Sequence, residues 1–258
     1  MHNPHEKVLI EEMTSKEVSK ALEQGKDTVI VGLGAVEQHG PHMATATDAI
    51  RAEDIAVGVA VKLGNALVAP VIRPGYSHQH LTFPGTISLR IETLMAIIED
   101  YCESLANQGF KNIVFISTHD ANGPITQIAE KKLNLEWKKA RVIFIENAMD
   151  YIPENVLHAD EAAGLHAGKR ETSIMLAIRP DLVNMKEAVR EVPRSLDRSY
   201  LAVVGSLPWK YFTQSGIMGD ATQANKELGE KILQSQYELI ASDVKARIEI
   251  AKEHQQAK

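Results

Sequence analysis

Apolar residues along this chain fall into short unbroken runs, separated by longer stretches in which they recur every three or four positions. The runs Thr28 to Gly32, Ala66 to Val71, Asn112 to Ser117 and Arg141 to Ile145 are rich in β-branched and aliphatic residues and lack alternation, as expected of strands covered on both faces. The periodic stretches predict helices over Thr14 to Gln24, Ala49 to Leu63, Ile91 to Gln108 and Pro124 to Leu135. Thr14 and Glu17 have capping-box spacing, and Gly25, Gly64 and Gly109 mark helix ends. Another helix begins near Gly168 and continues through Ser173 to Ile178, and the tail from Ala221 to His254 predicts one long helix or two short ones. Alternating strand and helix is the signature of an α/β fold, a mostly parallel sheet with helices on both faces, read here as one domain over residues 1–258.

Composition narrows the partners. At 258 residues and 44% hydrophobic, the chain has enough apolar surface for a full core. Its net charge of -6 and the lack of any Lys/Arg run argue against nucleic acid. Met1 to Met13 has no apolar core, and no run approaches the roughly 20 residues of a membrane span, so a cytoplasmic protein with no membrane partner is expected. The single cysteine, Cys102, sits in a helical pattern and reads as a small packed hydrophobe.

The chemistry concentrates just after the first strand, in Gly34-Ala35-Val36-Glu37-Gln38-His39-Gly40-Pro41-His42 with Asp48 beyond it. In an open α/β sheet, ligands bind outside the carboxyl ends of the strands. An extended chain through Glu37 and His39 projects both side chains to one side, and Asp48 returns from the start of the next helix. Carboxylate plus imidazole suits a divalent transition metal: zinc, manganese or iron. Gly32-Leu33-Gly34 is not a dinucleotide fingerprint, because its third glycine would fall on Glu37, which repels pyrophosphate.

Seven of the ten histidines, His39, His42, His78, His80, His119, His158 and His166, lie outside the clear helices and strands. His119 follows the third strand and so emerges on the same sheet edge as Glu37 and His39, which makes it a ligand candidate. His80, ahead of Leu81-Thr82-Phe83-Pro84-Gly85-Thr86, reads as a substrate contact. His166 lies on a loop, with Glu171 in the first turn of the helix after it. Glu171 is either a helix cap or dipole partner, or a general acid/base or extra ligand. The segments Asp150 to His166 and Val192 to Met218 carry most of the irregular sequence, and Trp209, Tyr211 and Phe212 in the second suit a lid, a subunit contact or plain packing.

Together these residues resemble the creatininase, or creatinine amidohydrolase, family of metal-dependent hydrolases, over about residues 28 to 235. The carriers are Glu37-Gln38-His39-Gly40-Pro41-His42 with Asp48, His80 ahead of Phe83-Pro84-Gly85-Thr86, His119 with Asn122, His166-Ala167-Gly168 with Glu171-Thr172-Ser173, and Ser215-Gly216-Ile217-Met218-Gly219-Asp220. The resemblance implies a three-layer α/β/α subunit in a homo-oligomer, a hexamer being one candidate. It also implies one or two ions per subunit, bridged by Asp48, with Glu37 and His119 on one side and His39 on the other. Two departures stand out. Ala121 and Ala162 occupy positions where the creatinine-cleaving members carry a glutamate that binds the second metal and a tryptophan.

The expected activity is hydrolysis of a small polar cyclic amide or formamide-type substrate by metal-activated water. Glu171 or His166 would carry the proton, and His80, Tyr76 and Asn122 would contact the substrate. The alternatives are hydrolytic C–C opening of a cyclic diketone derived from inositol, a noncatalytic metal-binding sensor or scaffold, and a metal-dependent sugar isomerase.

Overall fold

The computed structural model describes residues 7–157, 165–195 and 197–256. Its helices are α1 (Ser15–Glu23), α2 (Thr47–Leu63), α3 (Ile91–Asn107), α4 (Gly123–Lys132), the short α5 (Glu154–Leu157), α6 (Lys169–Ile178), α7 (Arg198–Val204) and α8 (Lys226–Gln256). The strands are β1 (Thr28–Leu33), β2 (Ala66–Ile72), β3 (Asn112–Ser117), β4 (Arg141–Ile145) and the two-residue β5 (Arg190–Glu191) and β6 (Gly219–Asp220). Strands β2-β1-β3-β4 form one sheet in that order, all parallel, while β5 and β6 pair antiparallel.

Every residue of β1 and β3 is buried, which explains the unbroken apolar runs. The pleat still divides them. Ile30, Val114 and Ile116 pack with α2, α6 and α8 through Ile55, Val59, Ile174, Ile232 and Ile240. Val29, Val31, Ile113 and Phe115 pack with α1, α3 and α4 through Val18, Leu94, Ile98, Cys102 and Ile125. The result is the expected three-layer α/β/α arrangement. Among the described residues no helix is long and apolar enough to cross a membrane.

Local signals account for most boundaries. The Thr14/Glu17 capping box is formed, with Glu17 Oε2 accepting from the Thr14 N–H at 2.7 Å. Helix α2 starts at Thr47, two residues before the periodic pattern does, and this places Asp48 in its first turn. Helix α4 ends at Lys132 in a π-helical turn over Leu133–Trp137. The C-terminal helix starts at Lys226 instead of Ala221. Asp220 accepts from the Thr222 N–H and so caps a separate 3-10 turn at Ala221–Gln223.

One close approach fixes the site. A Cβ on Gly34 would lie 2.6 Å from the Ala49 nitrogen and 2.9 Å from the Asp48 carbonyl carbon. Only glycine lets the end of β1 press against the first turn of α2.

Candidate metal centre

The parallel register sets Leu33 of β1 opposite Ser117 of β3, so the chain leaves both central strands side by side at their carboxyl ends. β1 continues to Glu37 and His39, and β3 continues through Thr118 to His119. Thr118 Oγ1 donates to the Asp48 backbone carbonyl at 2.8 Å, which ties the first turn of α2 to the same edge. The four ligand candidates named from sequence, Glu37, His39, Asp48 and His119, therefore meet, and none is more than 6% exposed.

Their hydrogen bonds define which atoms face inward. His119 Nε2–H donates to the Tyr76 carbonyl at 2.8 Å, which leaves Nδ1 as the lone-pair nitrogen, 3.6 Å from Asp48 Oδ2. His119 Nε2 also lies 3.3 Å from Glu37 Oε2. His39 Nδ1–H donates to the Glu37 carbonyl at 3.2 Å and turns Nε2 toward Asp48 Oδ1, at 3.4 Å, and Glu171 Oε2, at 3.8 Å. Both Glu37 oxygens, Asp48 Oδ2 and His39 Nε2 are buried without a hydrogen-bond partner among the described residues. Such atoms cost several kcal/mol each when no cation is present, on the order of an unpaired buried ion. The donor set thus fits a divalent transition metal. Ligand atoms of three overlapping groups lie within 4.8 Å of one another: Glu37, Asp48 and His119; Glu37, His39 and His166; His39, Asp48 and Glu171.

Electrostatics tell the same story. Burial, with Asp48 nearby, pushes Glu37 up to about 7 even though His119 opposes the rise. Burial alone would lower His39, but the Asp48 carboxylate outweighs it and lifts the imidazole to about 9. His119 is raised despite its burial by Glu37 and Asp48. Asp48 is held well below the usual carboxylate range against burial, by His39, His119 and Arg51. Protons on the ligands thus stand where positive charge is wanted, and a metal ion would displace them.

A second layer surrounds this cluster. Gln38 Nε2 donates to His80 Nδ1 at 2.9 Å and to the Gly216 carbonyl at 3.0 Å. His80 therefore carries its proton on Nε2, which lies 3.5 Å from Glu37 Oε1. His166 Nε2–H donates to the Gln38 carbonyl at 2.8 Å and leaves Nδ1 open, 3.6 Å from Glu37 Oε1. An antiparallel bridge to Met218 holds the His166 backbone, so the Ser215 to Asp220 segment acts on the site by positioning it. Burial, reinforced by neighbouring imidazoles, lowers His80 and takes His166 down to about 3.

Glu171 reaches the cluster from the first turn of α6. It also ties down the residue before its helix N-cap, because the Ala167 N–H donates to Oε2 at 2.6 Å. Its carboxylate is held below the ordinary range against burial, chiefly by Arg51 and then His39. Tyr76 and Asn122 stand behind the site. Asn122 accepts from the Tyr76 N–H at 3.0 Å and donates to the Gly34 carbonyl at 3.1 Å, while the Tyr76 ring stacks on His78. His42 bonds Thr172 instead of joining the cluster, and His78 is exposed beside Ser88. His158 and Ala162 lie outside the described residues.

Two residues of the site are absent from the sequence-based assignment. Arg51, fully buried, places Nη1 3.0 Å from Asp48 Oδ1 and pairs with Glu171 Oε1. Its signal is the i,i+3 spacing from Asp48 inside an apolar helix face, which also describes an ordinary surface pair. Trp209, grouped in the sequence with a lid or with core packing, lies against His80 and His166 with ring centroids 4.2 Å and 4.8 Å away.

A sheet of this type with a buried carboxylate and imidazole cluster at its carboxyl edge has the donor set of a metal-dependent enzyme. A family model named Creatininase, described as creatinine amidohydrolase, matches residues 11–244, and the chain belongs to that family. It is 32% identical over 227 residues to the mycofactocin precursor peptide peptidase of Mycolicibacterium smegmatis, covering 83% of each chain. It is 28% identical to the creatinine amidohydrolase of Pseudomonas putida over 88% of this chain and 92% of that one. It is 24% identical to the 3-dehydro-scyllo-inosose hydrolase of Thermotoga maritima over 95% of this chain and 86% of that one. Among solved structures, a manganese creatininase superposes with a TM-score of 0.78 at 27% identity, and a mutant creatininase of Zn-Zn type with 0.81 at 28%. Each covers 94% of this chain, and the matches take in 99% and 98% of those chains.

Proposed function

We propose that this protein hydrolyses the carbonyl–nitrogen bond of a small polar substrate, a cyclic amide or a formamide. The observation that carries the reading is a cavity of about 190 Å³ lined by the inward faces of Glu37, Asp48, His119, His80, His166 and Trp209. A space of that size suits a compact molecule or one end of a longer one. A zinc, manganese or iron ion would be held by Glu37, Asp48 and His119, with His39 on the far side of Asp48, and when bound would supply carbonyl polarisation and an acidified water.

The chain's own residues do the rest. His166 is the proton carrier: its Nε2–H is anchored on the Gln38 carbonyl, and Nδ1 faces the cavity beside Glu37. An amide nitrogen leaves poorly without a proton, and a neutral imidazole can relay one. Glu171 is the other carrier suggested by sequence, but Arg51 and the Ala167 N–H already occupy its two oxygens. The Nε2–H of His80 is a substrate contact. Tyr76 and Asn122 serve better as supports that orient His119 than as substrate contacts. We further propose assembly as a homo-oligomer and a cytoplasmic location.

The relatives' substrates differ, and hydrolysis is their common term. Ala121 and Ala162 argue against creatinine itself. The second reading, opening a C–C bond in an inositol-derived cyclic diketone, draws on the Thermotoga relative, which spans nearly the whole chain. An intact buried ligand set argues against a noncatalytic sensor. The test is a screen of cyclic amides, formamides and inositol-derived ketones with protein loaded separately with manganese, zinc and iron. Metal-dependent release of an amine or formate supports the first reading. Ring opening of only the diketones establishes the second, and no turnover with any loaded form removes both.

A further inference from the structure

The group His39, Asp48 and Glu171 has the makings of a second ion site, yet its carboxylates are already spoken for. Arg51 Nη1 is shared between Asp48 Oδ1, at 3.0 Å, and Glu171 Oε1. The other Glu171 oxygen accepts the Ala167 N–H at 2.6 Å. By contrast, Glu37 Oε1 and Oε2 and Asp48 Oδ2, which face His119, have no hydrogen-bond partner among the described residues, and on the Glu171 side His39 Nε2 has none either. The guanidinium is fully buried, and among the described residues its Nε and Nη2 find no acceptor, so its hydrogen bonds there are made by Nη1.

Charge balance points the same way. The carboxylates of Glu37, Asp48 and Glu171 carry three negative charges and Arg51 returns one, so neutral imidazoles leave the interior at minus two. One divalent ion neutralises that sum, whereas two would overshoot it in a desolvated site. Asp120 and Asp150 also line the cavity but are exposed, where water screens them, and the half-buried Arg170 lies on the same wall.

We propose that the Arg51 guanidinium stands in for a second cation. The centre then holds one divalent ion per subunit, at Glu37, Asp48 and His119, and Glu171 is a fixed partner of Arg51, not a ligand. This rests on the metal-dependent reading above and adds to it that the second position is filled by the protein itself. Arg51 is a positioning residue: it sets the charge and direction of the Asp48 and Glu171 carboxylates without lining the cavity.

The experiment strips the full-length protein with chelator, titrates it with Mn²⁺, and reads both stoichiometry and the EPR spectrum of the bound ion. The expected wild-type result is one Mn²⁺ per subunit with the uncoupled six-line spectrum of an isolated ion. Arg51→Met, which keeps much of the side-chain length without charge, should take up a second Mn²⁺ and show spin coupling. Arg51→Lys should return to one. Glu171→Gln in the wild-type background should keep its one bound ion and lower ion affinity by no more than the roughly 10- to 100-fold typical of an outer carboxylate. Two coupled ions in the wild type would overturn the Arg51 proposal and leave the hydrolase reading standing. A Glu171→Gln variant that lost its ion would do the same. No bound ion in the reloaded wild type would overturn both. If Arg51→Met does not fold, the wild-type spectrum and Glu171→Gln still decide.

Discussion

The indole of Trp209 packs against the His80 ring, centroids 4.2 Å apart and planes inclined at 45°. It meets His166 edge-on at 4.8 Å, so one aromatic ring roofs the two imidazoles of the cavity. Trp209→Ala should raise KM by at least about tenfold, on the order of 1.4 kcal/mol of lost substrate contact, with metal content unchanged. Trp209→Phe should retain most of the wild-type KM. Steady-state kinetics with the substrate found by screening, alongside elemental analysis, checks this. An unaltered KM in the alanine variant would show that the roof does not touch substrate.

Asp48 belongs to two of the three ligand groups, and it is the carboxylate that lies between His39 and His119. Asp48→Ala should lower metal affinity by more than the roughly 10- to 100-fold typical of outer-shell changes. His119→Ala should do likewise and abolish turnover. His78→Ala, an exposed histidine on Ser88, should change neither property. Competition against a chromogenic chelator ranks the three. Equal losses in His78→Ala and His119→Ala would discredit the ligand assignment.

Helix α8 crosses α6 at Gly229, where an added Cβ would fall 1.9 Å from the Ser173 carbonyl oxygen. That neighbour is backbone and cannot rotate away. Gly229→Ala should destabilise the fold by about 1–3 kcal/mol, the usual cost of overpacking, even though alanine favours helix. It should also shift Glu171, which rides on α6. Chemical denaturation measures the first effect, and an unchanged midpoint would mean that the two helices separate freely.

Burial, reinforced by Glu99, pushes the Cys102 thiol up to about 12, because α3 points it into the core beneath the sheet. At pH 8 the folded protein should hold almost no thiolate, and iodoacetamide should label it far more slowly than the unfolded chain. The sign is definite. An unfolded thiol ionises near pH 8.5, so ionisation of Cys102 favours the unfolded chain as pH rises through that value. Equal labelling rates in native and denatured protein would contradict the packing described.

The sequence discloses what depends on local pattern. Unbroken apolar runs identify β1 to β4, because a parallel sheet buried on both faces leaves no polar alternation to mislead. Glu37, His39, Asp48 and His119 are legible because each lies at a strand end or a helix start, and the fold brings those ends to one edge. Arg51 is not legible. Three positions after Asp48 it reads as a solvated helix pair, and only the crossing of α6, which lays Glu171 over it, makes it a buried charge. Trp209 is hidden for a similar reason: nothing in Ser206 to Ser215 states which wall the aromatic faces. Asn122 looks like a pocket residue from its place after His119, yet both ends of its amide are consumed in holding Tyr76 and Gly34. The start of the last helix is misjudged because the Asp220 cap favours a separate turn.

The pairing of β1 with β3 joins Thr28 to Asn112, positions 84 residues apart. Such a contact forms only after a long loop has closed, and Glu37 and His119 inherit that separation. No short fragment of the chain can hold the ion as the finished sheet does, so the free energy of capturing it accrues almost wholly to the folded state. At free metal about 100 times Kd this amounts to about 2.7 kcal/mol. A cell short of the ion would then lose more than the chemistry. The protein itself would unfold more often and be cleared sooner, so its abundance would follow the metal supply.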